Sequence, residues 1–266
     1  MNPREVDFLR RLVAGRFAER RGEGVAARMA EQQGLGVVRG AKVLYTDADF
    51  THARNILRNR GFELTAPSAP FTRSEAPEGG SEKTGALPVM QGQVAVVAVG
   101  MSPALVTPEN RFLAMHWRDA LALPYEVLLV CENLEPLLLL HEYRWLADFY
   151  QGRPTLALFR GAPGLFGTDA AAKLIAADAR PTLAFFDFDP KGLSMAASLP
   201  RREALCLPAW PKLEAATRRA QRERLFTQSA PSSRVHLDRV QDGDIVLAWQ
   251  RLRRLTLGLN QEGFPR

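Results

Sequence analysis

Between Tyr125 and Leu193 the chain repeats one rhythm: a short apolar run, an abrupt polar stop, and a stretch with helical spacing. The run 126–131 stops at Glu132-Asn133, the run 155–159 at Arg160-Gly161, and the run from Thr182 at Asp187. Runs apolar at nearly every position fit strands buried on both faces. Their alternation with helices over 136–150 and 168–177 predicts an α/β fold with a mainly parallel sheet covered by helices on both faces. The third run is the most informative, because it ends in Asp187-Phe188-Asp189-Pro190-Lys191-Gly192. The carboxyl ends of parallel strands are where such sheets bind ligands. Side chains alternate along a strand, so Asp187 and Asp189 can point to one side of the sheet edge and share a divalent cation. Pro190 and Gly192 then turn the chain into a helix whose amino end, with Lys191, favours a bound phosphate.

Composition narrows the class. With 46% hydrophobic residues among 266, the chain can bury a substantial core. Cys131 and Cys206 stand far apart in apolar runs without a CxxC partner, which argues against a disulfide framework or a zinc site and fits a reducing cytoplasm. The start, Met1-Asn2-Pro3-Arg4-Glu5, lacks the design of a signal peptide, and no apolar run approaches the roughly 18 residues of a membrane span. The expectation is a soluble cytoplasmic protein with no membrane partner. The net charge is +6, and residues 1–62 alone hold 12 Lys and Arg against 7 Asp and Glu. A basic amino-terminal quarter permits nucleic-acid binding and is equally compatible with a solvated surface.

That quarter has its own pattern. Val6, Leu9, Leu12, Val13 and Phe17 share one face of a helix over 4–19, and a second helix fits 25–33. Strand-like pairs follow at 37–38 and 43–45. Thr46 and Asp49 have the spacing of a capping box before a helix over 47–60 with Phe50, Ala53, Ile56 and Leu57 on its apolar face. Three helices with a short strand pair suggest a small winged-helix-like domain over 1–64, whose Arg54, Arg58 and Arg60 could touch a phosphate backbone. The alternative is a helical cap on the larger domain. Residues 65–91, rich in Pro, Gly, Ser and Glu, read as a flexible linker. Residues 92–266 then form the catalytic domain, with further strands at 93–99 and 204–207, a basic helix over 212–226 and a last helix over 244–257.

A glutamate closing one strand, Glu132 in Leu-Val-Cys-Glu-Asn-Leu-Glu, and an Asp-x-Asp closing a strand two units later form a pattern that resembles the toprim domain. The form Asp187-Phe188-Asp189-Pro190-Lys191-Gly192, with Glu132-Asn133-Leu134, is similar to the branch found in the topoisomerase VI A subunit, its meiotic relative, and the nuclease subunit of Wadjet plasmid-defence systems (JetD). The likeness covers 125 to about 210, and Asn260-Gln261-Glu262 resembles a Gln-Glu pair near the end of the Wadjet subunits. The resemblance implies a toprim fold, Mg²⁺ or Mn²⁺ as cofactor, and cleavage of DNA. It also implies SMC, kleisin and kite subunits as partners in an anti-plasmid complex, and a homodimer as in topoisomerase VI A relatives.

Elementary chemistry agrees. Phosphodiester cleavage needs charge neutralised at phosphorus, and a cation held by carboxylates does this while positioning a water. Asp187 and Asp189 are expected as metal ligands, Glu132 as a further ligand or the base that orients the nucleophile, and Lys191 as a phosphate contact. Asn133, Arg160 and Glu262 are further candidates. The four histidines, His52, His116, His141 and His236, have no metal-ligand spacing, and the glycines at 161–167 lack a P-loop ending. Tyr45, the one tyrosine before residue 65, lacks the paired arginines that accompany a topoisomerase nucleophile, so hydrolysis is expected rather than transesterification. One rival is a non-catalytic toprim-like module that binds DNA or a partner. Another is a phosphatase with an aspartate nucleophile, whose DxDx is followed by Thr or Val where this chain has Lys191.

Overall fold

The computed structural model describes residues 1–65, 90–103 and 105–266, which fall into two compact units, within Met1–Val89 and Met90–Arg266. Most of the expected linker, residues 66–89, lies outside the described residues.

In the first unit α1 (Pro3–Gly15) is opened by a reciprocal capping box between Asn2 and Glu5 and buries Val6, Leu9 and Leu12. It stops short of the expected residue 19 because Arg16 takes a left-handed backbone conformation, φ 43°. The chain released there forms β1 (Glu19–Arg21), a strand with no apolar residue for a periodicity reading to detect. After α2 (Gly24–Gln33), β2 (Val37–Arg39) and β3 (Lys42–Leu44) complete an antiparallel sheet in the order β1-β3-β2. The helix α3 (Asp47–Asn59) begins at the anticipated Thr46. The Asp49 carboxylate accepts from the Thr46 N–H at 2.7 Å and from the Gly36 N–H at 2.7 Å, tying the helix start to the turn before β2. Phe50, Ala53 and Leu57 close the small core against Leu35 and Val43.

The second unit carries the strand–helix rhythm. It begins with β4 (Gln93–Val99), β5 (Leu113–His116) and α4 (Trp117–Leu121). Next come β6 (Val127–Cys131), α5 (Leu134–Leu138), α6 (Ala147–Tyr150) and β7 (Thr155–Phe159). Then follow α7 (Thr168–Ala177), β8 (Thr182–Phe185), α8 (Pro190–Ala197) and β9 (Arg202–Leu205). Three helices, α9 (Trp210–Ala220), α10 (Glu223–Leu237) and α11 (Gly243–Leu255), end the unit. The six strands lie in the order β5-β4-β7-β6-β8-β9. From β7 to β9 the pairing is parallel, while β4 is antiparallel to both of its neighbours, so the sheet is mixed. Every residue of β6, β7 and β8 is buried.

Two further helix expectations need correction. The helix expected over 136–150 is broken into α5, two 3₁₀ turns and α6, because Leu139 (ψ 20°) and Tyr143 (ψ 66°) leave helical geometry; the buried Tyr143 hydroxyl donates to the Gln261 carbonyl. The basic helix over 212–226 divides at Gln221, φ 50°, into α9 and α10. Pro231 lies inside α10, and a proline in a helical pattern hides a helix from sequence reading. Among the described residues no helix is long and apolar enough to cross a membrane.

Candidate metal centre

In the parallel part of the sheet the chain runs from β6 outward to β7, then returns past β6 to β8 and on to β9. The order reverses between β6 and β8, and the crevice at the carboxyl ends of such a pair is where α/β sheets place ligands. Glu132 is the first residue beyond β6. Asp187 and Asp189 lie just beyond β8, flanking the fully buried Phe188. The Glu132 N–H donates to the Phe185 carbonyl at 3.1 Å, extending the ladder by one bond, and the Glu132 carboxylate accepts from the Asp187 N–H at 3.2 Å. The three carboxyls are 6%, 8% and 7% exposed and line one cleft of 540 Å³.

Cations meet this group from two sides. The Arg160 guanidinium, one residue beyond β7, lies 3.6 Å from Glu132 Oε1, and Lys191 Nζ lies 3.9 Å from the same oxygen. Arg160 Nε is buried without a hydrogen-bond partner, so this cation is incompletely engaged. Asp189 caps α8, accepting from the Gly192 N–H at 2.6 Å. That helix-end donor, expected to face a phosphate, is therefore occupied by the protein's own carboxylate.

Asp187 is held most tightly. Its Oδ1 accepts from the Gln261 N–H at 2.8 Å and Asn133 Nδ2 at 3.0 Å, and its Oδ2 from Asn260 Nδ2 at 3.2 Å. Burial nevertheless pushes its carboxyl up to about 7, with the Glu132 charge adding to the shift. Burial also raises Glu132, against the Asp187 N–H and Arg160, and raises Asp189, against the Gly192 N–H and Lys191. Three neighbouring carboxyls are thus all disfavoured as anions, the electrostatic setting that a cation relieves.

Hard oxygen donors in this setting suit Mg²⁺ or Mn²⁺, which need only one or two carboxylates and keep several waters. Among the described residues no three His, Cys, Asp or Glu side chains stand together as a ready ligand cage. Two carboxylates and water would suffice for such a cation, and the acids that line this cleft are Glu132, Asp187 and Asp189.

A family model described as a domain of unknown function (DUF7281) matches residues 88–264. The chain belongs to the DUF7281 family. No curated protein and no solved structure matches the chain.

The DUF7281 region holds the whole cleft, including parts that sequence reading left out. Phe188 and Leu259 form an isolated antiparallel bridge, with Phe188 N–H to Leu259 O at 2.8 Å and the reverse bond at 2.9 Å. This places Asn260 and Gln261 beside Asp187. Gln261 is fully buried. Its Oε1 accepts from the Asn133 N–H and its Nε2 donates to the Phe185 carbonyl, each at 2.8 Å, so one side chain joins the ends of β6 and β8. Glu262, the acid of that sequence echo, is exposed and does not line the 540 Å³ cleft. The opposite wall is α10, through Leu225, Gln228, Ser229 and Ser232. Their spacing of i, i+3, i+4 and i+7 was a signal available in the sequence, masked by the absence of an apolar stripe. Glu132, Asp187, Asp189, Lys191, Asn133 and Arg160 are brought together here. Arg54, Arg58 and Arg60 belong to the other unit, where Arg54 is half-buried, Arg58 exposed and Arg60 the cap after α3.

Proposed function

We propose that the DUF7281 region is a metal-dependent DNA endonuclease of toprim type that cleaves by hydrolysis. The observation that supports this most is the meeting of Glu132, Asp187 and Asp189 at the β6/β8 switch point, in one cleft with Lys191 and Arg160. Bound Mg²⁺ or Mn²⁺ would neutralise charge on the phosphate and make water a better nucleophile. Asp187 and Asp189 would hold it, with Asn133, Asn260 and the Gln261 N–H fixing the orientation of Asp187. Glu132 would complete the ligand set or orient the attacking water. Lys191 and Arg160 would meet the non-bridging phosphate oxygens, and the α10 wall would border the bound strand.

By resemblance the chain would be the nuclease subunit of an SMC-type anti-plasmid complex with kleisin and kite partners, acting in the cytoplasm, with a winged-helix-like first unit and homodimer pairing. One observation favours a non-catalytic, DNA- or partner-binding module instead: Asp187 already accepts three internal hydrogen bonds and Asp189 caps a helix, as purely structural acids would. Incubation of supercoiled plasmid with the protein and Mg²⁺ or Mn²⁺ separates the two readings. The nuclease reading expects nicked or linear product from wild type, none with EDTA, and none from Glu132→Ala or Asp189→Ala. Bound but intact plasmid supports the module, and undiminished cutting by both variants rejects the site.

A further inference from the structure

In the three-stranded sheet of the first unit only the central strand reaches the core, through Val43, and both outer strands are exposed throughout. Strand register assigns the residues. Arg20, Val43 and Val38 are cross-strand partners on the side where Val43 is fully buried. On the other side Arg21, Lys42 and Arg39 stand in one row across all three strands, and each is exposed. Neighbouring strands lie about 4.8 Å apart, so the backbone positions of the three cationic residues span about 10 Å. Like charges placed directly opposite one another destabilise a sheet. The one acid on this face, Glu19, pairs with Lys42 at 2.6 Å. Among the described residues neither Arg21 nor Arg39 has a carboxylate within ion-pair distance.

Shape adds to charge. Arg39 and Lys42 flank the two-residue turn Gly40-Ala41, with Gly40 at φ 57°, as tight hairpins require. Gly22 donates its N–H to the Ala41 carbonyl at 2.8 Å, so the end of the sheet carries Gly22, Gly40 and Ala41 between the cations. The turn itself presents nothing longer than the Ala41 methyl group beside the cations. Beside β1 a hollow of 420 Å³ is lined in part by Arg11, Arg20 and Arg21, with the Arg20 guanidinium 3.8 Å over the Phe17 ring. A lipid surface fits less well, because interfacial anchoring needs large apolar or aromatic side chains and this face offers only Val37 and the half-buried Leu44.

We infer that this sheet face is a phosphate-backbone binding surface for nucleic acid, with Arg21, Lys42 and Arg39 as its contacts. It supplies the nucleic-acid contact of the reading above, and it places that contact on the sheet instead of on the arginines of α3. Guanidinium forks match phosphate oxygens bidentately, and each neutralised phosphate adds about 0.9 to the slope of log affinity against log salt on duplex DNA.

The test is fluorescence anisotropy of a short labelled duplex of mixed sequence with the full chain, in EDTA across a salt series, so that nuclease activity has no bearing on the result. The Arg21→Ala/Arg39→Ala/Lys42→Ala variant should lower the salt slope by about 2 to 3 and weaken binding at least about tenfold at low salt. All three side chains are exposed, and the one ion pair lost, Lys42–Glu19, is exposed too, so the variant should keep the circular dichroism spectrum of wild type. A slope equal to wild type would overturn the inference, as would salt-independent or absent binding by wild type. Loss of binding on changing Arg54, Arg58 and Arg60 to Ala, with none from the sheet variant, would assign the contact to α3 and overturn it as well. Tighter binding of poly-glutamate or of phosphatidylglycerol vesicles than of DNA, abolished by the sheet variant, would assign the face to an acidic protein or to a membrane and likewise reject it.

Discussion

Replacing Gln261 with alanine should loosen the centre without touching any of its acids. The side chain is fully buried and its two polar atoms have separate tasks, Oε1 toward the Asn133 N–H and Nε2 toward the Phe185 carbonyl. Truncation leaves the Asn133 N–H without a partner, which costs about 1–3 kcal/mol for a buried donor. The Phe185 carbonyl keeps the Glu132 N–H at 3.1 Å and so adds little. The cavity and lost contacts of the removed atoms add about 1–2 kcal/mol. The expected loss is therefore about 2–5 kcal/mol, read as a lower urea midpoint at unchanged slope for the transition that unfolds this unit. Gln261→Glu is the informative companion. It keeps the acceptor for Asn133 but sets a carboxylate oxygen against the Phe185 carbonyl, so it should be destabilised at neutral pH and partly recover in acid, where a protonated carboxyl can donate again. A Gln261→Ala protein within about 0.5 kcal/mol of wild type would refute the idea that this side chain ties β6 to β8.

Gly192→Ala should be damaging although alanine favours helices, because its Cβ would fall well inside contact distance of the Asp187 carbonyl oxygen and 3.0 Å from the carbonyl carbon. A melting curve should show a loss of about 1–3 kcal/mol, and wild-type stability would contradict the packing argument. In EDTA, Asp187→Asn should gain on wild type as pH rises. Burial lifts the Asp187 carboxyl to about 7, so the folded chain holds a proton there that the unfolded chain has lost. That contribution to wild-type stability fades as pH climbs from about 4 to about 7 and the neutral variant lacks the loss; parallel stability curves across this window would contradict it.

What the sequence disclosed depended on how local the cause was. Strands β6, β7 and β8 are apolar at nearly every position, and the Thr46–Asp49 capping spacing is a short-range signal, so both were legible. The acids at strand ends were legible for the same reason. By contrast, β1 is Glu-Arg-Arg, with no apolar residue, and β5, Leu-Ala-Met-His, is a four-residue edge strand too short for its apolar residues to show a strand period. The support of Asp187 by Asn260 and Gln261 depends on a bridge between Phe188 and Leu259, far apart in sequence and created only by tertiary folding. The α10 wall was hidden by its interior Pro231 and by polar residues facing the cleft.

Whether Asp187 and Asp189 hold a divalent cation, with Glu132 beside them, is decided by titrating Mn²⁺ into the protein and following free Mn²⁺ by electron paramagnetic resonance. Wild type should take up Mn²⁺ saturably, Mg²⁺ should compete, and the Asp187→Asn/Asp189→Asn variant, with an unchanged circular dichroism spectrum, should take up none. Uptake of equal affinity by both proteins, or none by wild type, would rule out a cation site on these aspartates.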